Sequence, residues 1–95
     1  MLKVRAVPTF LRAVKKLHAN QKAVVNNVVK EIAAQPDAGE EKRGDLSGVF
    51  VHKFKINNQE YLLAYELLPN KQAADEVMLL ALGSYENFYR NLKGR

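Results

Sequence analysis

The residues of this chain best suited to chemistry are Lys53 and Lys55, which lie two positions apart in the strand-like run Val51–Ile56. In a β-strand, residues i and i+2 point to the same face, so both ammonium groups would leave one side of the sheet. Phe54 and Ile56 would point to the other side. Two cations fixed side by side on a rigid sheet are suited to holding a phosphate, and we predict a phosphate-binding surface here; the alternative is an exposed sheet edge or face that the lysines keep soluble.

A polar, aromatic segment near the C-terminus could add groups to that surface. Tyr85 and Tyr89 could each stack on a nucleic-acid base or donate a proton, and Arg90 could supply a further positive charge. The alternative is structural: Phe88 and Tyr89 would dock a last helix on the core, with Arg90 in solvent. The sequence leaves both interpretations open.

The histidines and the absence of cysteine argue against a metal centre. Strand alternation puts His52 on the Phe54 face, away from the two lysines, where it is predicted to be a core or sheet-edge residue. His18 falls in a turn between two helices and is predicted to lie on the surface. With two distant histidines and no cysteine, we expect neither a metal site nor a disulfide, and no cofactor.

Composition predicts one small, basic domain. The 95 residues suffice for a single core, so a substrate site would be an open groove rather than a deep cavity. The N-terminal third carries the excess charge, with seven Lys and Arg against one Asp or Glu in residues 1–35. This favours a polyanion or an acidic protein as partner, although a merely solvated helix face would look the same. We see no signal peptide or membrane span and expect a cytoplasmic protein.

The first half of the chain predicts a strand and two helices. Leu2–Val7 alternates apolar and basic residues and reads as an edge strand ended by Pro8. Thr9 is expected to cap a first helix, and Asn20 a second one that ends before Pro36. Two helices joined by a short turn predict an antiparallel hairpin. Residues 36–48 hold glycine, proline and paired charges, and we predict a loop there.

The second half predicts a sheet. Val49–Ile56 and Tyr61–Leu67 would form a hairpin around Asn57-Asn58, because asparagine tolerates positive φ. Val77–Leu82 is apolar on both faces and is predicted to be the central strand. Glu86–Lys93 could form a short closing helix. The predicted fold is therefore α+β, with an N-terminal strand and helical hairpin packed on a mostly antiparallel four-stranded sheet.

This order of elements resembles the RelE/ParE superfamily of toxins from bacterial type II toxin–antitoxin systems. Toxins of this family have a leucine-and-glycine loop, a strand of alternating basic residues, a strand with spaced tyrosines, and an apolar strand that ends in glycine. The matching segments of this chain are Arg43–Gly48, His52–Ile56, Tyr61–Tyr65 and Leu82–Glu86. The resemblance covers nearly all of the chain and implies a single toxin domain over residues 1–95.

The resemblance implies one of two activities and a protein partner. RelE-like members cut mRNA on the ribosome, whereas ParE-like members inhibit DNA gyrase; a toxin that retains only antitoxin binding is a third possibility. Lys53 and Lys55 match the basic strand positions of RelE-like nucleases. Leu62 stands where those nucleases carry a catalytic arginine, and Tyr85 where arginine or histidine is common, so Tyr85, Tyr89 or Arg90 would have to assist the lysines.

The resemblance also implies a cognate antitoxin that wraps around the toxin. The basic residues of the first helix and the start of the second would suit an acidic amphipathic helix laid beside the helical hairpin. The same face could instead dock on ribosomal RNA. The residues predicted to make this contact are Arg12, Lys15, Lys16 and Lys22.

Overall fold

The structure is a computed structural model that describes residues 1–85 and residue 88. Two helices and five strands have bounds within these residues. Two short 3₁₀ turns, Pro36–Ala38 and Gly44–Leu46, flank the second strand. In chain order the elements are β1 (Lys3–Ala6), α1 (Pro8–Lys15), α2 (Ala19–Ala34), β2 (Glu40–Glu41), β3 (Val49–Ile56), β4 (Gln59–Leu68) and β5 (Glu76–Ser84).

The strands form one sheet in the order β1-β5-β4-β3-β2, which confirms the α+β class and corrects two details. The sheet has five strands rather than four, because Glu40 and Glu41 pair with β3 inside the predicted loop. The middle strand is β4 rather than the predicted Val77–Leu82, because β1 adds to the outer side of β5 in parallel. The other neighbouring pairs are antiparallel.

Both helices begin earlier than predicted. Pro8 occupies the first turn of α1, where its missing N–H costs nothing, and Val7 is the N-cap. Thr9 therefore lies inside the helix rather than at its cap. The Thr9 hydroxyl accepts a hydrogen bond from Arg12. Asn20 is not the cap of α2 either. His18 takes that position in a reciprocal capping box, in which the Gln21 side chain accepts a hydrogen bond from the His18 backbone N–H.

The core has two layers because the sheet is buried on both faces in its middle. On one face the helices cover a cluster centred on Leu63 and Tyr65 of β4. On the other face Leu62 and Ala64 of the same strand pack with Phe88 and residues of β3 and β5. Four consecutive residues of β4, from Leu62 to Tyr65, are therefore almost completely buried.

The hairpin between β3 and β4 sets the register of the functional face. Asn57 and Asn58 both adopt positive φ, at 51° and 68°, which confirms the predicted tight turn. This turn places Lys53 opposite Leu62 and Lys55 opposite Glu60. A slip of one residue would move the lysines to the helix face, so the turn determines where their charge lies.

One tyrosine anchors the segment before β2. The Tyr65 hydroxyl donates a hydrogen bond to the Pro36 carbonyl (2.6 Å) and accepts one from the Gly39 N–H (2.9 Å). A Cβ at position 39 would lie 2.9 Å from that hydroxyl and 3.1 Å from the backbone of Val51, so a glycine is needed for this approach. The buried core thus holds the segment that carries Glu40.

Little of the C-terminal segment belongs to the described part of the chain. The predicted helix Glu86–Lys93 lies outside the described residues except for Phe88, which is buried against the sheet. In the described part, neither helix has the length and apolar character needed to cross a membrane.

Tyr65→Phe should destabilise the protein by about 1–3 kcal/mol, because it leaves the Pro36 carbonyl and the Gly39 N–H without their buried partner. Chemical denaturation measures this free energy of unfolding. Tyr61→Phe is the matched control: Tyr61 lies on the same face of β4, and its hydroxyl makes no hydrogen bond within the described residues. Equal losses in the two variants would contradict the anchoring role.

The same tyrosine predicts a loss of stability in alkali. Burial, helped by the negative charge of Asp37, raises the pKa of Tyr65, although the Gly39 N–H opposes the shift. Since the neutral phenol is favoured in the folded state, its contribution is complete below about pH 10 and is lost as the pH rises towards the folded pKa. Unfolding free energies measured from pH 8 to 11 should fall more steeply for the wild type than for Tyr65→Phe.

Candidate functional site

A polar groove opens beside the edge of the sheet formed by β2 and β3. It has a volume of about 370 Å³, and we call it the cation groove. Its cations are Lys42, which directly follows β2, and Lys53 of β3, while Tyr85 enters from the end of β5. The groove is lined by Ala38, Glu40, Lys42, Val51, His52, Lys53, Leu62 and Tyr85.

The structure separates the two predicted phosphate-binding lysines. Both are exposed and lie on the sheet face away from the helices, as the alternation of β3 requires. Lys53 lines the cation groove. Lys55 lies two residues closer to the hairpin turn, opposite Glu60, and does not line the groove. Of the two lysines, Lys53 is therefore the better placed to bind a phosphate in the groove.

Leu62 forms an apolar floor, and Tyr85 forms a wall. The Leu62 side chain is 2% exposed and packs into the cluster with Phe88. The position that the family resemblance matched to a catalytic arginine is therefore part of the core. Tyr85 is 55% exposed, and its ring is free to meet a ligand. Tyr89 and Arg90, the other two predicted site residues, lie outside the described residues.

Two groove residues, Glu40 and Lys42, were not predicted from the sequence. Both were assigned to a loop, yet β2 pairs with β3, and the Lys42 N–H donates a hydrogen bond to the Val49 carbonyl (2.8 Å). The available signal was the spacing of Glu40 and Lys42, which matches one face of a strand. A strand of two residues is too short to show a hydrophobic period, so that signal was weak.

Glu40 is the anion of the groove. The Lys42 ammonium donates a hydrogen bond to a Glu40 carboxylate oxygen (2.8 Å), and this bond together with the charge of Lys42 holds the pKa of Glu40 below its usual range. Lys53 lowers the pKa further, and partial desolvation opposes both. Glu40 is therefore ionised at neutral pH. The groove combines two cations, one carboxylate and a phenol, which are groups suited to binding a phosphodiester.

The structure places His52 on the Phe54 face, as strand alternation predicted, and His18 on the surface, as its place between two helices predicted. The His52 ring lies parallel to Phe54, with centroids 6.3 Å apart, although His52 also contributes to the groove wall. His18 is an exposed helix cap. Among the described residues, no three His, Asp or Glu side chains are grouped so that they could hold a metal ion.

A second, larger groove lies between β1, α1 and α2. This helix groove has a volume of about 650 Å³, and its walls include the exposed apolar residues Val4 and Leu11. Of the four basic residues predicted to make a macromolecular contact, Lys15 and Lys22 line it. Arg12 and Lys16 are exposed on α1 and at its C-terminus, outside the groove lining. The structure thus divides the predicted basic face into a rim and a more distant part.

Solved structures of toxins share this fold. The chain is similar to a chain of the toxin–antitoxin complex RelBE2 from Mycobacterium tuberculosis, with a TM-score of 0.73 and 22% identity over 87% of this chain and 96% of the other. The chain is also similar to a chain of the intact Escherichia coli RelBE complex, with a TM-score of 0.67 and 16% identity over 87% of this chain and 95% of the other. Its similarity to the isolated E. coli RelE toxin has a TM-score of 0.67, with 15% identity over 88% of this chain and 84% of the other. No curated protein matches the sequence significantly.

The sequence itself carries a family signature over nearly its whole length. Residues 4–93 match the sequence model described as the ParE-like toxin of type II bacterial toxin–antitoxin systems. This match spans all the described strands and helices except Lys3, the first residue of β1, and it agrees with the fold shared with the RelE toxin. The chain therefore belongs to the family of ParE-like toxins of type II bacterial toxin–antitoxin systems.

Proposed function

We propose that this toxin is a ribosome-dependent endoribonuclease that cleaves mRNA through the RNA's own 2′-hydroxyl. The observation that supports this most strongly is the convergence of Lys42, Lys53 and Tyr85 on one groove. Attack by an internal hydroxyl needs positioning, charge stabilisation and proton transfer, all of which protein side chains can provide. No cofactor enters the proposal.

Three groove residues take part in the proposed reaction. When the 2′-oxygen attacks the phosphorus, its proton passes to solvent water and the bond to the 5′-oxygen breaks. Negative charge builds on the phosphoryl oxygens during this step, and the Lys53 and Lys42 ammonium groups stabilise it. Tyr85 stacks on a neighbouring base or donates its proton to the departing 5′-oxygen. The products are a 2′,3′-cyclic phosphate and a 5′-hydroxyl.

Lys42 resolves the difficulty raised by Leu62. A buried leucine can neither bind phosphate nor transfer a proton, so the charge that the family's arginine would supply must come from elsewhere. Lys42 reaches the same groove from the neighbouring edge of the sheet. In this proposal Lys42, directly after β2, supplies the second cation, and Leu62 forms the apolar floor.

Removing the groove cations should reduce cleavage much more than stability. Lys53→Ala should slow mRNA cleavage about 100-fold, because loss of transition-state charge stabilisation costs roughly 3 kcal/mol. An exposed lysine should change folding by less than about 1 kcal/mol. Primer extension on a translated reporter measures the new 5′ ends, which should disappear when translation is blocked. Lys30→Ala, an exposed lysine of α2, is the control and should cleave normally.

Gyrase inhibition is the second candidate, and a specific observation favours it. The arginine position holds the buried Leu62, and the family match is to ParE-like rather than RelE-like toxins. A gyrase inhibitor would arrest growth with intact mRNA and accumulate gyrase–DNA adducts. That result would overturn the ribonuclease proposal. Absence of any growth arrest would indicate a chain that retains only antitoxin binding.

We also propose that an antitoxin docks in the helix groove through an acidic amphipathic helix. The apolar walls would receive the apolar side of that helix, and Lys15 and Lys22 on the rim would attract its acidic residues. The solved RelBE complexes are assemblies of a toxin with an antitoxin, which supports the same kind of partner here.

Charge reversal within the groove rim tests this docking. Lys15→Glu with Lys22→Glu should weaken binding of the neighbouring gene product at least about tenfold, because like charges would then meet across the interface. Lys16→Glu with Lys30→Glu changes the net charge equally at exposed positions outside the groove and is the matched control. Equal losses of affinity in the two double variants, measured by calorimetric titration, would contradict docking in this groove.

A further inference from the structure

The cation groove already contains an anion of its own. The Glu40 carboxylate accepts a hydrogen bond from the Lys42 ammonium at 2.8 Å, and the positive charge of Lys53 also favours its ionised form. Both groove cations therefore act on one internal carboxylate. A phosphodiester that enters the groove would meet the same two ammonium groups.

The cation and the anion of this pair are held very differently. The Lys42 side chain is 27% exposed, and its backbone is fixed by the hydrogen bond to the Val49 carbonyl. The Glu40 side chain is 77% exposed. Glu40 can therefore rotate into water without giving up buried contacts, while Lys42 stays in the groove. An exposed ion pair of this kind is weak and is readily exchanged for another anion.

We propose that Lys42 and Lys53 form a binding site for one phosphodiester of single-stranded RNA, and that Glu40 is the internal anion which the phosphate displaces. A phosphodiester presents two anionic oxygens, and each ammonium group can donate a hydrogen bond to one of them. The cost of displacement lowers the affinity for RNA. Glu40 thus limits how tightly the isolated groove holds RNA outside its proper context.

This inference rests on the proposed function only in naming RNA as the source of the phosphodiester. The other titratable groups at the groove are His52, which stacks on Phe54, and Tyr85. Among the described residues that line the groove, Glu40 is the one carboxylate, and an incoming phosphate would compete with it for the two cations.

The test is binding of a fully 2′-O-methylated single-stranded oligoribonucleotide, which cannot be cleaved through a 2′-hydroxyl. Affinities are measured at one fixed ionic strength, since phosphate binding depends strongly on salt.

Glu40→Gln should tighten binding about threefold, the scale of an exposed ion pair. Lys42→Met should weaken it at least about fivefold, and the double variant should bind like Lys42→Met. Lys53→Met provides the second cation variant if Lys42→Met folds poorly.

The neighbouring residue Glu41 supplies a control that is matched in charge. Glu41 pairs with Lys71 across the chain, at 2.8 Å, and does not line the cation groove. Glu41→Gln changes the net charge by the same amount as Glu40→Gln and should leave the affinity within about twofold of the wild type. Equal tightening by the two variants would reduce the effect to overall charge and overturn the proposal, as would no tightening by Glu40→Gln.

The outcome is separable from the ribonuclease proposal. If the variants bind as expected but translated mRNA remains intact, the phosphodiester site stands and the ribonuclease proposal fails. If mRNA is cut while Glu40→Gln binds like Glu41→Gln, the ribonuclease proposal stands and the displaced-anion proposal fails. Failure of the wild type to bind the oligonucleotide at low ionic strength would overturn the site itself.

Discussion

The burial of β4 on both faces is the constraint on which the rest of this structure depends. Leu63 and Tyr65 pack under the helices while Leu62 and Ala64 pack on the opposite side, so the middle of the sheet has no position left for an exposed charge. Any cation of a site on this sheet must come from strands nearer the edge. Lys53 of β3 and Lys42 after β2 meet that requirement, and they approach an apolar floor from the same side.

Tyr65 connects this core to the groove. Its ring is fully buried beneath the helices and lies 5.4 Å from Phe50, while its hydroxyl holds the backbone of Pro36 and Gly39 at the edge. The residues that follow include Glu40 and Lys42. The same strand therefore supplies the floor of the groove through Leu62 and positions one wall through Tyr65. The packing of β4 therefore stabilises the core and also positions the charged residues of the groove.

Periodicity and turn chemistry explain how much of this could be predicted from the sequence. The alternation of β3 and the asparagine pair at its turn predicted the strand, the hairpin and the side of the sheet that carries Lys53. The apolar character of Val77–Leu82 correctly predicted burial, but it could not show that β1 would pair outside it. Burial on both faces is shared by β4 and β5, so it does not identify the middle strand.

The groove itself was only half predictable. Lys53 and Tyr85 stood out by residue type, but Glu40 and Lys42 depended on a two-residue strand stabilised by distant partners, Val51 and Phe50 of β3 and the hydroxyl of Tyr65. Such long-range pairing leaves no local period in the sequence. The sequence showed by family resemblance that Leu62 departs from the arginine of RelE-like nucleases, but it did not show that this side chain packs in the core.

The proposed ribonuclease activity requires the cation groove to promote attack of an RNA 2′-hydroxyl on its own phosphodiester. The most direct measurement is mass spectrometry of the ends of mRNA fragments produced by the purified toxin on translating ribosomes. We expect a 2′,3′-cyclic phosphate or its ring-opened phosphate on one fragment and a 5′-hydroxyl on the other. Fragments that end in a 3′-hydroxyl and a 5′-phosphate, or mRNA that remains intact, would contradict it.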